Sequence, residues 1–309
     1  MNILISGGLG FIGSYMVDNF LKRGYKVGII ARRVPSYLKN LASKVDLYKT
    51  DISKPLDFKL REKYAIFIHL AAANDMDSQD ASIALLNTVL GVKNCLDFCL
   101  RNKINNFFYF STFQVYGVNS GVINERSPLI CKNNYAITHM FGEEYIRMYH
   151  RNFGLDYIIA RPTNVYGAPL NKNIDRWSLV PNCFCKEAFK NRLIILRSSG
   201  KQMRDFISLE DISNLTSILC ENFVAQKNKV FNFARGKGNP ILNVSKMVQK
   251  EYKKIFKKEC KLKISSRIPA SSVRLFVSTK KIKDLNYIYS NEHSLEKEIS
   301  RIFQLLKKG

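Results

Sequence analysis

The sequence predicts an α/β protein built on a doubly wound parallel sheet, with a smaller C-terminal α/β part after it. Three observations carry that expectation. The chain starts on a short apolar run closed by glycines, "MNILISGG". Apolar runs of strand length then alternate with helical stretches of ten or more residues as far as Pro162, the pattern of parallel strands joined by crossover helices. Beyond Pro162 the alternation loosens into shorter elements and proline-bearing loops.

Each element has its own signal. "GSYMVDNFLKRG" has helical spacing and stops at Gly24, and "YKVGIIAR" is the second strand. "KVDLYKTDI" and "AIFIHLAA" follow as strands, then a helical window over 80–102, the strand "NFFYFST", a helix over 135–152 and the strand "LDYIIARP". In the C-terminal part, "NCFCKEAFKNR" reads as a helix, "LIILRS" as a strand and "DFISLEDISNLTSILCENF" as a strand end with a helix. No internal repeat or low-complexity linker interrupts the chain, and 309 residues suffice for two unequal cores that share an interface.

A formal net charge of +24 and a pI of about 9.8 favour anionic partners. Lysine is spread along the chain, with a modest concentration in "KMVQKEYKKIFKKECKLK" that reads as a solvated helix face. Nucleic acid is therefore not an expected partner. The seven cysteines are odd in number and lack a metal or redox spacing, so they read as reduced thiols of a cytoplasmic protein with no metal. There is no basic and apolar leader before Gly7 and no run of about 18 apolar residues, so no membrane is expected either.

"SGGLGFIG" places Gly7, Gly10 and Gly13 between a strand and a helix. The first allows a tight turn, the second lets backbone approach a pyrophosphate, and the third permits close helix packing. In the first strand-to-helix turn this spacing points to a Rossmann-type dinucleotide site. The reading makes 1–164 the dinucleotide-binding domain and 165–309 mainly a substrate-binding part, some of whose strands return to the main sheet. At the end of the second strand, where a carboxylate would hold the ribose of NAD, the chain has "IIARR". Arg32 and Arg33 suit a 2′-phosphate, which predicts NADP, with NAD as the alternative. Asp51 in "KTDIS" is placed to accept from the adenine amino group.

Taken together, these residues resemble the extended short-chain dehydrogenase/reductases, and within them the NAD-dependent epimerase/dehydratase group acting on nucleotide-linked sugars. The resemblance spans the chain through "SGGLGFIG", "TDI", "HLAA", Asn87 with Gly91, "STFQVYG", Tyr135, "RPTNVYG", "RDFISLEDI" and "VFNFARG". It implies a cofactor surface of Gly7, Gly10, Phe11, Ile12, Gly13, Arg32, Arg33, Asp51, Ile52, Leu70, Ala71, Ala72, Tyr135 and His139. It also implies that Thr112 hydrogen-bonds the reacting sugar oxygen, that Tyr135 exchanges a proton with it, and that Asn164, Arg204 and, more loosely aligned, Arg274 hold the substrate diphosphate. A homodimer through the helices at 80–102 and 135–152, and a setting in surface-polysaccharide synthesis, are further implications.

The chain departs from the family in "NNYAITHMFGEEY". The family's lysine four residues after the tyrosine is replaced by His139, on the same helical face as Tyr135. A histidine can donate to a ribose hydroxyl, but its reference pKa near 6.5 predicts weaker and more pH-dependent help to Tyr135 than a lysine gives. Ketone reduction needs a neutral tyrosine, whereas alcohol oxidation needs the tyrosinate, so the substitution favours reduction. Family dehydratases carry an Asp-Glu pair after the threonine; Phe113 and Gln114 stand there, which argues against a 4,6-dehydratase. The resulting expectation is a 4-keto reductase of a nucleotide-diphosphate sugar, with a 4-epimerase and a catalytically silent nucleotide-binding homologue as alternatives. His69 reads as a strand-end packing residue and Cys131, just before the tyrosine helix, as a small loop residue, while Trp177 reads equally as a cover over base or sugar and as packing.

Overall fold

The computed structural model describes residues 1–265 and 274–308. Its strands, in chain order, are β1 (Asn2–Ser6), β2 (Lys26–Ala31), β3 (Asp46–Lys49), β4 (Ile66–His69), β5 (Asn106–Phe110), β6 (Gly121–Ile123), β7 (Asp156–Pro162), β8 (Asn164–Tyr166), β9 (Leu193–Leu196), β10 (Met203–Ser208), β11 (Lys229–Phe233), β12 (Gly238–Pro240), β13 (Lys261–Ile264) and β14 (Leu275–Val277). The chain forms two compact units: Met1–Val118 with Arg126–Pro162 and Ser213–Phe231, and Asn119–Glu125 with Thr163–Ile212 and Asn232–Gly309.

The first unit is organised by a 7-stranded sheet in the order β11-β7-β5-β4-β1-β2-β3. Pairing is parallel from β3 through to β7. Ser6, at the end of β1, lies opposite Ile30 of β2 on one side and His69 of β4 on the other. Crossovers leave β1 in opposite directions across the sheet, so the loop after Ser6 sits at a topological switch point, where α/β sheets bind ligands. The expected doubly wound architecture is present.

One face of this sheet is covered by a continuous helix from Ala81 to Arg101, whose residues Leu85–Leu90 are wound as a π-helix. Asp80 starts it, accepting from Ser82 N at 2.8 Å. Val92, Cys95, Leu96, Phe98 and Cys99 of this helix pack with Phe67, Phe107, Ile146 and Ile159 in one core cluster. By length and composition the helix could cross a membrane, but half of its most apolar window is buried inside the protein. The neighbouring helix Asn134–Phe153 begins at Asn133, whose side chain accepts from Ala136 N at 2.8 Å, and ends at Gly154 with φ +70°.

The second unit is made of short strands: a 3-stranded sheet β12-β10-β8 and the pairs β13-β9 and β14-β6. Helices Val180–Asn191, Ile241–Phe256 and Leu295–Lys307 contribute Phe184, Val248, Tyr252, Ile299 and Phe303 to its own core. The lysines of Ile241–Phe256 that the sequence assigned to solvent include Lys250, Lys253 and Lys254, all exposed.

Candidate active site

The glycine loop is shaped for an anion. Gly7 has φ +77°, and a Cβ there would lie 2.7 Å from Ala71 N; a Cβ on Gly13 would lie 2.2 Å from Gly7 O. Only glycine fits either position. Gly10 N donates to Gly7 O at 3.0 Å and caps the helix Phe11–Lys22, which has no side-chain cap and no acidic residue in its first turn. The N–H groups of Phe11, Ile12 and Gly13 thus head a positive helix end with no built-in counter-charge, which fits a pyrophosphate. Leu70 N donates to Ser6 O at 3.0 Å, so Leu70, Ala71 and Ala72 run beside this loop.

Arg32 and Arg33 are exposed just past β2. Asp51 accepts from Ser53 N at 3.0 Å. Burial by itself would raise the Asp51 carboxyl, but the Ser53 bonds and the charge of Arg32 hold it below its ordinary value. The neighbouring Ile52 is buried against the Gly91 position, where an added Cβ would lie 2.8 Å from its Cδ1.

Thr112 follows β5 and is 6% exposed; its Oγ1 accepts from Gln114 N at 3.2 Å. The Asn133 amide donates to Gln114 Oε1 at 3.1 Å, stapling the cap of the Tyr135 helix to the turn that Thr112 starts. Cys131 directs its thiol to Val115 O at 3.5 Å, and burial raises its pKa.

Tyr135 and His139 share a face as the sequence predicts, their rings edge to face with centroids 4.6 Å apart. His139, however, is 3% exposed, and its Nδ1 lies 2.9 Å from the Tyr109 hydroxyl. Burial pulls its pKa down to about 4 against the opposing pull of the Glu143 carboxylate. Burial thus disfavours the imidazolium, so position 139 offers Tyr135 less charge than its reference pKa implies. His69 is completely buried, holds Ser6 Oγ at 2.7 Å and stacks on Tyr109 at 5.8 Å, so it packs the end of β4 as expected. Burial and then the proximity of His139 lower its pKa to about 3.

These two histidines imply an acid weakness. Below about pH 6.5 the unfolded chain gains protons on both that the native protein refuses until about pH 4 and 3. Stability should therefore rise with pH across that window, by up to roughly 1.4 kcal/mol per pH unit for each group. Urea denaturation at pH 7 and pH 5 checks this; equal stability at both would contradict it.

In the second unit Asn164 and Arg204 lie on the adjacent strands β8 and β10, and Asn164 Nδ2 donates to Asp205 O at 2.8 Å. Arg204 donates to Asn119 Oδ1 at 2.5 Å, and among the described residues it meets no carboxylate within ion-pair distance. Burial lowers its pKa. A half-buried guanidinium without an acid partner invites an anion such as a phosphate. Arg274 is exposed beside β14, its carbonyl accepting from Gly121 N at 2.8 Å, two residues beyond Asn119; the stretch 266–273 before it lies outside the described residues. Trp177 packs on the second core and donates to Lys172 O at 3.0 Å, the packing role. Among the described residues no group of three or more His, Cys, Asp or Glu could hold a metal.

Asn119, Tyr109 and Gly142 were not legible as site residues. Tyr109 sits in an aromatic strand run where nothing marks its hydroxyl as different from its phenylalanine neighbours.

A sheet with a switch point, a glycine turn and an uncapped helix start define a Rossmann-type α/β fold. The pattern of the "NAD dependent epimerase/dehydratase family" matches residues 3–234, and the chain belongs to that family. It is 29% identical over 259 residues to a putative UDP-glucose 4-epimerase of Methanocaldococcus jannaschii, covering 81% of this chain and 82% of that protein. It is 30% identical over 247 residues to a dTDP-D-glucose 4,6-dehydratase of Dictyostelium discoideum, covering 70% of this chain and 55% of that one. The fold matches a UDP-glucuronic acid 4-epimerase of Bacillus cereus, solved in complex with NAD, with a TM-score of 0.84, 24% identity and coverage of 100% and 99%.

Proposed function

We propose that this protein is an NADP-dependent oxidoreductase that reduces the 4-keto group of a nucleotide-diphosphate sugar, with Tyr135 as the proton donor. The observation that carries the direction is the burial of a histidine at position 139, where the family has a lysine. A cation one helical turn from the tyrosine would favour tyrosinate, the form that accepts a proton; a buried neutral imidazole leaves the phenol able to give one.

A bound dinucleotide would supply the hydride. Tyr135 would then pass its phenolic proton to the oxygen of the forming alcohol, and the Thr112 hydroxyl would donate a hydrogen bond to the same atom. Asn164, Arg204 and Arg274 would hold the diphosphate, the guanidinium of Arg204, which has no carboxylate partner among the described residues, supplying a charge-assisted contact. Gly7, Gly10, Phe11, Ile12 and Gly13 would receive the cofactor pyrophosphate, with Asp51 and Ile52 at the adenine and Leu70, Ala71 and Ala72 along the nicotinamide half. Phe113 and Gln114, neither of them ionisable, stand where family dehydratases carry an acid and a base, which supports a reading other than 4,6-dehydration.

Arg32 and Arg33, without a carboxylate at the end of β2, support NADP over NAD. NADPH should bind at least about tenfold tighter than NADH, and replacing both arginines with serine should erase the difference. Equal affinities in a nicotinamide-fluorescence titration of the unaltered protein would refute the preference. All seven cysteines are free thiols, consistent with a reducing cytoplasmic setting. Ile83, Leu86 and Leu90, with Ile137 and Phe141 of the next helix, are exposed apolar side chains that support a homodimer through these helices; a monomer in sedimentation at micromolar concentration would contradict it.

A 4-epimerase is the second reading, favoured by the names of the archaeal and Bacillus relatives. It would keep NAD bound and consume none.

A further inference from the structure

We propose that Tyr109 is a positioning residue: its hydroxyl donates to Nδ1 of His139, locks the imidazole as the Nε2–H tautomer, and so presents a fixed N–H donor to a hydroxyl of the nicotinamide ribose. The proposal rests on the dinucleotide reading above and assigns how this chain works without the family's lysine.

The argument is a count of protons in a closed space. Tyr109 is 1% exposed, and its hydroxyl has one hydrogen-bond partner among the described residues, His139 Nδ1 at 2.9 Å. His139 Nε2 is buried and has no hydrogen-bond partner among the described residues. If Tyr109 donates, its own proton is satisfied and the single open group is the Nε2–H. If instead Nδ1–H donates, the tyrosine proton and the Nε2 lone pair are both left open in a buried site. One orphan is better than two, so the tyrosine donates. Burial together with the charge of Glu143 keeps the Tyr109 hydroxyl protonated, and no pH near neutrality alters either partner. The titratable groups around His139 are Tyr109 from β5, His69 from β4, and Tyr135 and Glu143 from its own helix.

The surroundings are built for this bond. A Cβ on Gly142 would lie 2.6 Å from the Tyr109 hydroxyl oxygen, so the hydroxyl occupies space that glycine leaves, in a helix interior where alanine would otherwise be preferred. His69 stacks on the Tyr109 ring and is itself tied to Ser6, which holds the tyrosine from the other side. The open Nε2 of His139 is a buried polar atom that the protein does not satisfy, and a bound ribose hydroxyl would satisfy it.

Imidazole tautomers are read directly by long-range proton–nitrogen NMR of protein carrying isotope-labelled histidine, without any nucleotide. The chain has 4 histidines, and His139→Gln identifies the relevant signal. The unaltered protein should show His139 as the Nε2–H form from pH 5.5 to pH 8. Tyr109→Phe should give a mixture of tautomers and weaken NADPH binding about fivefold, the effect of one misdirected hydrogen bond. Gly142→Ala should displace the hydroxyl and produce the same tautomer change by a different route. His150 and His293 report that both variants remain folded. A purely packing role for Tyr109 predicts that phenylalanine serves as well, so an unchanged tautomer or unchanged affinity in Tyr109→Phe overturns the proposal. So does an Nδ1–H form in the unaltered protein. If the unaltered protein has the expected tautomer but binds neither NADPH nor NADH, the dinucleotide reading falls, and the proposal falls with it.

Discussion

Replacing Tyr135 with phenylalanine should lower turnover by roughly a thousandfold while leaving NADPH affinity within about twofold of the original. The Tyr135 phenol lies beside the buried imidazole on helix Asn134–Phe153, and Phe keeps the ring that packs edge to face on His139. The change therefore removes the phenolic proton and keeps the ring. Restoring the family's cation tests the same chemistry from the other side. His139→Lys would put an ammonium one turn from Tyr135, favour the tyrosinate, and bring reduction and oxidation rates closer together. Retention of most of the activity in Tyr135→Phe would mean that another group supplies the proton.

The largest stability effect should come from Arg161→Met. Arg161 is 2% exposed and grips Glu143 through Nε at 2.8 Å and a terminal nitrogen at 2.6 Å, while its other nitrogen donates to the Tyr116 hydroxyl at 2.9 Å. Ser111 adds a bond to Glu143 at 2.6 Å and Arg147 another at 2.8 Å. Burial would raise the Glu143 carboxyl, but the bonds and charge of Arg161 hold it below its ordinary value. Its contribution to stability is therefore present above the ordinary carboxylate pKa and lost as pH falls through the depressed one.

Removing the guanidinium leaves the buried Glu143 carboxylate with only Ser111 and the partly exposed Arg147 as partners, at a cost of about 3–5 kcal/mol. Adding Glu143→Leu to that variant should recover part of the loss, since the charge that needed a partner is gone. Equilibrium denaturation decides; a loss below about 1 kcal/mol in Arg161→Met would contradict the account. The site should suffer as well, because this network joins the residue before Thr112, the helix of Tyr135 and the strand leading to Asn164.

What the sequence could reveal is what neighbouring residues determine. Gly7, Gly10 and Gly13 carry their meaning in their spacing, and β1 to β5 and β7 are read from local apolar runs. Tyr135 and His139 lie four residues apart, so their shared face was legible. The state of His139 was not. It depends on a hydroxyl 30 residues away, on space left by Gly142, and on the removal of water, none of which a local pattern records. β6, β8, β12, β13 and β14 run for three or four residues each, too short for periodicity to stand out from loop. The interleaving of Asn119–Glu125 and Ser213–Phe231 between the units is a matter of long-range packing. Asn119, the partner of Arg204, is hidden for the same reason.

The central claim is that this protein consumes NADPH to reduce a keto nucleotide sugar. The most direct measurement is NADPH absorbance after mixing the purified protein with a panel of enzymatically generated 4-keto nucleotide-diphosphate sugars, with NADH in parallel. The account predicts stoichiometric oxidation of NADPH with at least one member of the panel, faster than with NADH. No oxidation across the panel, in a protein that binds the dinucleotide and interconverts the unreduced sugars without consuming it, would contradict the reductase and establish the epimerase.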